Sequence, residues 1–304
     1  MLSYQHAYHA GNHADLLKHF VLTFVICSLN KKDKPYTFFD THSGSGLYDL
    51  LDNKSIKTGE ASKGIEILLQ QKDFPSELLP YVNLVKGFYK NHIYPGSPAI
   101  EKTLLRKNDV LILTELHPAE IENLRTNMNS SFNAGFENDS VLEKLALENP
   151  EIQIHKRSGW EMLKALTPPK TKRGAVLIDP SYEEISDYEN AAKVICDVLK
   201  KWSNGIFMLW YPLLSHREIQ INQMLNQITD GAKAVNQNME ILRQELLINT
   251  KDSHIETELK DLSKSNPPRL YGSGMLVLNS PWKLKESSDV AVEYFSKLLY
   301  EGKK

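Results

Sequence analysis

The stretch Gly174-Ala175-Val176-Leu177-Ile178-Asp179-Pro180-Ser181-Tyr182 sets a carboxylate, a proline and an aromatic ring directly behind an apolar, β-prone run. Proline cannot continue a hydrogen-bonded ladder, so the run reads as a buried strand that stops at Asp179, just beyond the carboxyl edge of a sheet. Open α/β sheets bind ligands at that edge. The Asp179 carboxylate and the Pro180 carbonyl are two acceptors on one turn. Aimed at the N–H bonds of an exocyclic amine on a planar ring, they would pull its delocalised lone pair out of conjugation and orient it for attack on a methyl group. Tyr182 would then stack on the ring, a contact that contributes roughly 1–3 kcal/mol for a base. A plain strand ending in an Asp-Pro turn is the competing reading of the same residues.

Two further strand ends carry acids. Tyr36-Thr37-Phe38-Phe39-Asp40 reads as the first strand and runs into Thr41-His42-Ser43-Gly44-Ser45-Gly46, a turn whose glycines let backbone amides approach a ligand closely. The spacing is not that of a dinucleotide fingerprint and no P-loop Lys-Ser/Thr follows, which favours S-adenosylmethionine over a pyrophosphate cofactor. Asp109-Val110-Leu111-Ile112-Leu113-Thr114-Glu115 is a second strong strand, and a carboxylate at its end can accept both hydroxyls of a ribose. His6, His9, His13 and His19 invite a metal reading. No carboxylate or Cys at ligand spacing closes such a site, so no metal is expected.

These positions need one sheet to bring them together. At 304 residues the chain has room for one large domain with an insertion. The expected division is a Rossmann-like domain over 1–52 and 92–304, with a helical subdomain inserted at 53–91. A hydrophobic fraction of 41% and a charged fraction of 24% exclude disordered, collagenous and coiled-coil classes. A formal charge of −2 denies any global attraction to nucleic acid, so a polyanion would have to meet local basic patches. Cys27 and Cys196 lie in apolar helical patterns, as free thiols of a reducing compartment do. The start carries no secretory pattern, and the apolar run 21–27 is too short to span a membrane; a cytoplasmic protein is expected. Asn12 caps a helix over 13 to about 29. Further strands are predicted at 152–157, 205–212, 239–247 and 273–278. The last two are read as antiparallel edge strands, with the Asn266-Pro267-Pro268 turn between them. The fold class is therefore α/β, a seven-stranded mixed sheet with interleaved helices.

Asp179-Pro180-Ser181-Tyr182 is similar to the D/N-P-P-Y/F/W signature of amino methyltransferases, with Ser181 at the second proline. Several other stretches extend the likeness: the opening Met1-Leu2-Ser3-Tyr4, His9 to Asp15, Lys18-His19, the Asp40 to Gly46 turn and Tyr94-Pro95-Gly96-Ser97-Pro98, which reads as a rigid turn re-entering the core. With Thr114 to Pro118, Leu209-Trp210-Tyr211-Pro212 and Ser273-Gly274-Met275, they resemble the RlmJ family of bacterial enzymes that methylate N6 of one adenine in 23S ribosomal RNA. The resemblance runs almost end to end. It implies a monomeric, S-adenosylmethionine-dependent methyltransferase acting on 23S ribosomal RNA. It further implies that His19, His42, Ser97 and Glu115 contact the cofactor, that Asp179 is catalytic at the adenine amine, and that Tyr4 meets the RNA; Asp179 is also expected to reach the cofactor, and Pro180 and Tyr182, from their own chemistry, the substrate base. Ser158-Gly159 stands where an Asp-Gly pair usually meets the cofactor adenine, so weaker binding is expected at Ser158.

Lys31, Lys32, Lys34, Lys156, Arg157, Lys172 and Arg173 fall on loops or strand ends where they could meet phosphates. The low total charge suggests protein-free RNA and a small footprint. A DNA adenine or protein glutamine methyltransferase would need the same Asp-Pro turn, and an NAD-binding Rossmann enzyme is the reading from another class.

Overall fold

Apolar β-prone runs become a seven-stranded sheet in the computed structural model, which describes residues 5–130, 140–251 and 270–300. Tyr4 and the Asn266-Pro267-Pro268 turn lie outside the described residues. The strands are β1 (Thr37–Asp40), β4 (Val110–Glu115), β5 (Glu151–Lys156), β6 (Gly174–Ile178), β7 (Ile206–Leu213), β8 (Ile241–Leu247) and β9 (Gly272–Leu278). They are ordered β5-β4-β1-β6-β7-β9-β8. The first five in that order are parallel, and β9 and β8 close the sheet antiparallel. A small antiparallel ribbon pairs β2 (Leu47–Asp49) with β3 (Ile93–Pro95). Its strands are too short to show a period in the sequence.

Helices cover both faces of the sheet. On one lie α1 (His13–Asn30), α4 (Leu79–Tyr89), α5 (Ser97–Leu104) and α11 (Leu284–Leu299), sharing a core with Phe38, Leu111, Leu113, Ala175 and Leu177. On the other lie α8 (Gly159–Leu166), α9 (Ile185–Lys201) and α10 (Glu218–Val235), packed on Phe39, Ile112, Val176 and Ile178. The alternation within each strand is the period of two expected of a sheet buried on both faces. Each buried Val, Leu or Ile of β6 contributes roughly 1.5–3 kcal/mol through removal from water. Between β2 and β3 run α2 (Asn53–Thr58), α3 (Ile65–Leu69) and α4; Ile65, Tyr81, Val82 and Phe88 enter the same core as α1. The remaining helices are α6 (Pro118–Asn129) and α7 (Ser140–Leu147).

Two readings of the sequence change. Of the two antiparallel strands only β8 is an edge. β9 lies between β7 and β8, and its Gly272–Leu278 run is buried at every position, as an interior strand requires. The Tyr94-Pro95-Gly96-Ser97-Pro98 stretch, read as a rigid turn, opens α5. Proline in a first helical turn forfeits no hydrogen bond, because the N–H it lacks would have had no intrahelical partner.

Parallel strands share their carboxyl edge, and register fixes what meets there. Asp40 pairs across from Leu113 of β4 and Leu177 of β6, so Asp40, Glu115 and Asp179 finish on one side of the sheet. The turn after β6 is closed by Tyr182 in the left-handed region (φ 55°), a conformation that disfavours a residue with a Cβ by roughly 1–2 kcal/mol. Packing holds it there. The Tyr182 ring lies 4.6 Å from that of Tyr188, and its hydroxyl donates to the Trp210 carbonyl at 2.9 Å.

Candidate active site

Asn12 caps α1 as its type predicts, accepting from the amides of Ala14 and Asp15. The helix it starts runs under the carboxyl edge of the sheet and turns Asp15, Lys18 and His19 into the protein, all three buried. Lys18 Nζ sits 2.6 Å from Asp179 Oδ2 and 2.9 Å from Asp15 Oδ1. Asp15 Oδ2 in turn accepts from the Gly11 amide at 2.8 Å and lies 3.0 Å from His6 Nε2. Burial opposes the charge on Lys18, but the two carboxylates outweigh it and raise its pKa, so the ammonium persists. Burial likewise opposes the charge of Asp15, yet His6, Lys18 and His19 hold its pKa well below the ordinary range. A cation between two anions thus grips one oxygen of Asp179, whose side chain remains 15% exposed. Asp179 also lies within electrostatic reach of Asp40 and His42, on either side of the start of the glycine turn.

Around that turn the other candidate residues gather. Gly44 adopts φ 59° and donates its amide to Glu115 Oε2 at 2.8 Å, while Oε1 accepts from Leu116 and His117 at 2.7 Å each. Ser97, in the first turn of α5, donates to Asp40 Oδ2 at 2.7 Å, and the His42 amide donates to Oδ1 at 3.0 Å. The His42 ring contacts Trp160 at 5.1 Å, and burial lowers its pKa to about 4, against the pull of Asp179. Ser158 immediately precedes α8. Gly159 is there for space: a Cβ would stand 2.2 Å from the Thr41 carbonyl, so only glycine lets α8 approach the turn after β1 this closely.

His19 and Tyr182 sit deeper than the sequence suggested. The His19 ring is 1% exposed and 2.7 Å from the Tyr94 hydroxyl, and burial lowers its pKa to about 3. Tyr182 is 5% exposed between Tyr188 and Trp210, and its hydroxyl is already engaged. Stacking of Tyr182 on a substrate ring is at odds with this placement, in which the ring packs against Tyr188 and Trp210 and is largely closed off from solvent.

Sequence reasoning missed the partner of Asp179. An available signal was Asp15 and Lys18, two charges three residues apart in an otherwise apolar helical stretch, where a solvated pair would not be expected. It also missed Glu101 of α5. Both carboxyl oxygens of Glu101 are buried without a donor among the described residues, and its neighbour is the Asp40 carboxyl. Two acids that face each other in a dry site can hydrogen-bond only if one keeps its proton. Burial and Asp40 push the Glu101 pKa well up, and burial raises that of Asp40 to about 6. A carboxyl whose folded pKa is raised binds its proton more tightly than the unfolded chain does, so its contribution to stability is lost as pH climbs above the ordinary value of 4.5. Glu101→Gln, which still offers an N–H to Asp40, is accordingly expected to melt higher than the parent at pH 8 and level with it near pH 4. Melting curves across that range check this; an offset independent of pH would refute the shared proton.

The donor set suits a cationic nucleoside. A buried acid pair and the Ser97 hydroxyl lie beneath the glycine turn, a carboxylate suited to a ribose stands at the end of β4, and the His42 and Trp160 rings flank the start of α8. Five parallel strands closed by an antiparallel pair, with acids at three strand ends around this turn, define a Rossmann-like, S-adenosylmethionine-dependent methyltransferase. The chain belongs to the RlmJ family: a family model described as Ribosomal RNA large subunit methyltransferase D, RlmJ, matches residues 33–303. It is 38% identical to Ribosomal RNA large subunit methyltransferase J of Escherichia coli strain K12, over 99% of this chain and 96% of that protein. It is 36% identical to the protein of the same name from Haemophilus influenzae, over 98% and 94%. A crystal structure of a Legionella pneumophila protein superposes with a TM-score of 0.76 at 29% identity, covering 97% of this chain and 95% of that one. Among the described residues no helix is long and apolar enough to cross a membrane.

Proposed function

We propose that this enzyme methylates N6 of one adenine in 23S ribosomal RNA, with the amine oriented by Asp179 and the Pro180 carbonyl. The observation that carries the reading is the Lys18–Asp179 contact of 2.6 Å. Lys18 fixes one carboxylate oxygen and keeps the other available as an acceptor. S-adenosylmethionine, when bound, supplies a methyl group activated by its sulfonium. Asp179 and Pro180 accept the two amine hydrogens, which turns the lone pair toward that methyl. The sulfur of S-adenosylmethionine would keep the electron pair of the broken C–S bond, and Asp179 would take the surplus proton of the newly methylated amine and pass it to water. Orientation is the main catalytic work, because the leaving group is already activated.

His42, Ser97, Glu115, Ser158 and Gly159 are assigned to the cofactor. The family resemblance adds His19 to that set and Tyr4 to the RNA, and Asp179 is also expected to reach the cofactor. Residues 53–91 are assigned as an inserted helical unit. The substrate assignment also draws on the names of the Escherichia coli and Haemophilus influenzae relatives. A cytoplasmic monomer acting on protein-free RNA completes the proposal. Labelled methyl transfer to a 23S transcript, to DNA and to a protein acceptor, followed by nucleoside mass analysis, tests it. N6-methyladenosine in the transcript alone is expected; label confined to DNA or protein would overturn it.

A further inference from the structure

Of the basic residues singled out in the sequence, Lys156 and Arg157 end β5 at the carboxyl edge, where Lys156 pairs across from Glu115; most of the others lie elsewhere. Lys32, Lys34, Lys172 and Arg173 precede β1 and β6, at the amino edge of the sheet, whereas Asp179 follows β6 at the carboxyl edge. Arg106 and Lys107, before β4, join them. We propose that this amino edge is a second RNA-binding surface, taking the phosphate backbone of a helical segment that lies outside the methylated stem. The proposal rests on ribosomal RNA being the substrate.

The edge is built rather than merely charged. Arg106 turns inward and donates to the Lys32 carbonyl at 2.9 Å and the Lys34 carbonyl at 3.3 Å, while its Nε bonds Asp109 at 2.9 Å. Arg173 also donates to the Lys34 carbonyl. Both guanidiniums lie over the Tyr36 ring, at 5.5 and 5.3 Å. Two arginines thus brace the loop that carries Lys32 and Lys34. Lys172 is held with φ 54° by Trp202 Nε1 and Asn204 Nδ2, which donate to its carbonyl at 3.1 and 3.0 Å. A residue with a Cβ adopts that conformation only when its surroundings impose it.

What these frames present outward is lysine. Lys32, Lys34, Lys107, Lys170 and Lys172 are exposed, and none pairs with a carboxylate among the described residues. The acids nearby are fewer: Asp33, Glu148 and Glu151, of which Glu148 accepts from the Lys107 amide. In a chain of net charge −2, this concentrates cations on the face away from the reaction. Compact ammonium charges on stiff loops suit phosphates, which position a polynucleotide without reading its sequence. Strands of five to eight residues at about 3.3 Å per residue separate the two edges by roughly 20 Å. The base presented to Asp179 and the phosphates held here must therefore belong to different parts of a folded RNA.

The test compares the full-length enzyme with a Lys32→Glu/Lys34→Glu/Lys170→Glu variant on two substrates, a short stem-loop carrying the target adenine and a long 23S domain transcript. S-adenosylmethionine affinity and melting temperature serve as fold controls, and the corresponding triple arginine variant as the charge-preserving control. On the long RNA kcat/KM is expected to fall on the order of tenfold or more, with the log–log salt slope of binding shallower by about 2–3, as loss of three phosphate contacts implies. On the stem-loop the rate should stay within about twofold, and the arginine variant should match the parent on both. Equal rates of variant and parent on the long RNA would overturn the proposal. An equal loss on both substrates would do so too, by moving these lysines into the catalytic half. If the parent enzyme methylated neither RNA, the substrate assignment itself would fall and this surface with it.

Discussion

Asp179→Asn is expected to lower kcat by about 10²–10³, the loss typical of one preorganised polar partner in a transition state. The substitution keeps the volume of the side chain but replaces one acceptor with an N–H donor. Lys18 Nζ, 2.6 Å from Oδ2, accepts nothing, so the amide must turn its oxygen toward the ammonium and its NH₂ toward the adenine amine. A donor then faces a donor where the reaction needs an acceptor. Because the defect lies in orienting the amine and removing its proton, KM for RNA should move far less than kcat. Single-turnover methyl transfer at saturating RNA measures this directly. Parent-like turnover in Asp179→Asn would show that the Pro180 carbonyl, or a group outside the cluster, does the orienting.

The parts of this site legible in the sequence are those written locally. A strand followed by an acid and a glycine turn, or by Asp-Pro, is a pattern of fewer than ten residues, and parallel register then fixes which strand ends share an edge. That reasoning brings Asp40, Glu115 and Asp179 together without any knowledge of packing. It fails where the determinant is nonlocal. Lys18 and Asp179 lie 161 positions apart, and only the passage of α1 beneath the carboxyl edge joins them. The residue type of Tyr182 permits a stacking platform, whereas the left-handed backbone beneath its buried ring has no signature in a Pro-Ser-Tyr sequence. Glu101 was invisible for a related reason, since an acid on a helix is ordinarily solvated and nothing local marks this one as facing Asp40.

Two of these misses, Lys18 and Glu101, share a physical theme: the sheet edge is organised by buried ionisable groups, which sequence patterning treats as surface. Lys18 is where this has the largest consequence for stability. Lys18→Met should destabilise the fold by about 3–5 kcal/mol, because it leaves Asp15 buried with too little positive charge to offset its lost hydration. At roughly 2–4 °C per kcal/mol for a chain of this size, the melting temperature should drop by about 6–20 °C. Removing the stranded charge as well, in Lys18→Met/Asp15→Asn, should recover much of that loss, since a neutral pair is often tolerated where a lone buried ion is not. Activity should not recover with it. Asp179 would still lack the cation that fixes Oδ2, so the double variant is expected to fold well and turn over slowly. Melting curves and methyl transfer on the parent, the two single variants and the double complete the cycle. If Lys18→Met melted within about 2 °C of the parent, or if the double variant regained full turnover, the buried triad would be neither the stabilising nor the orienting element assigned to it here.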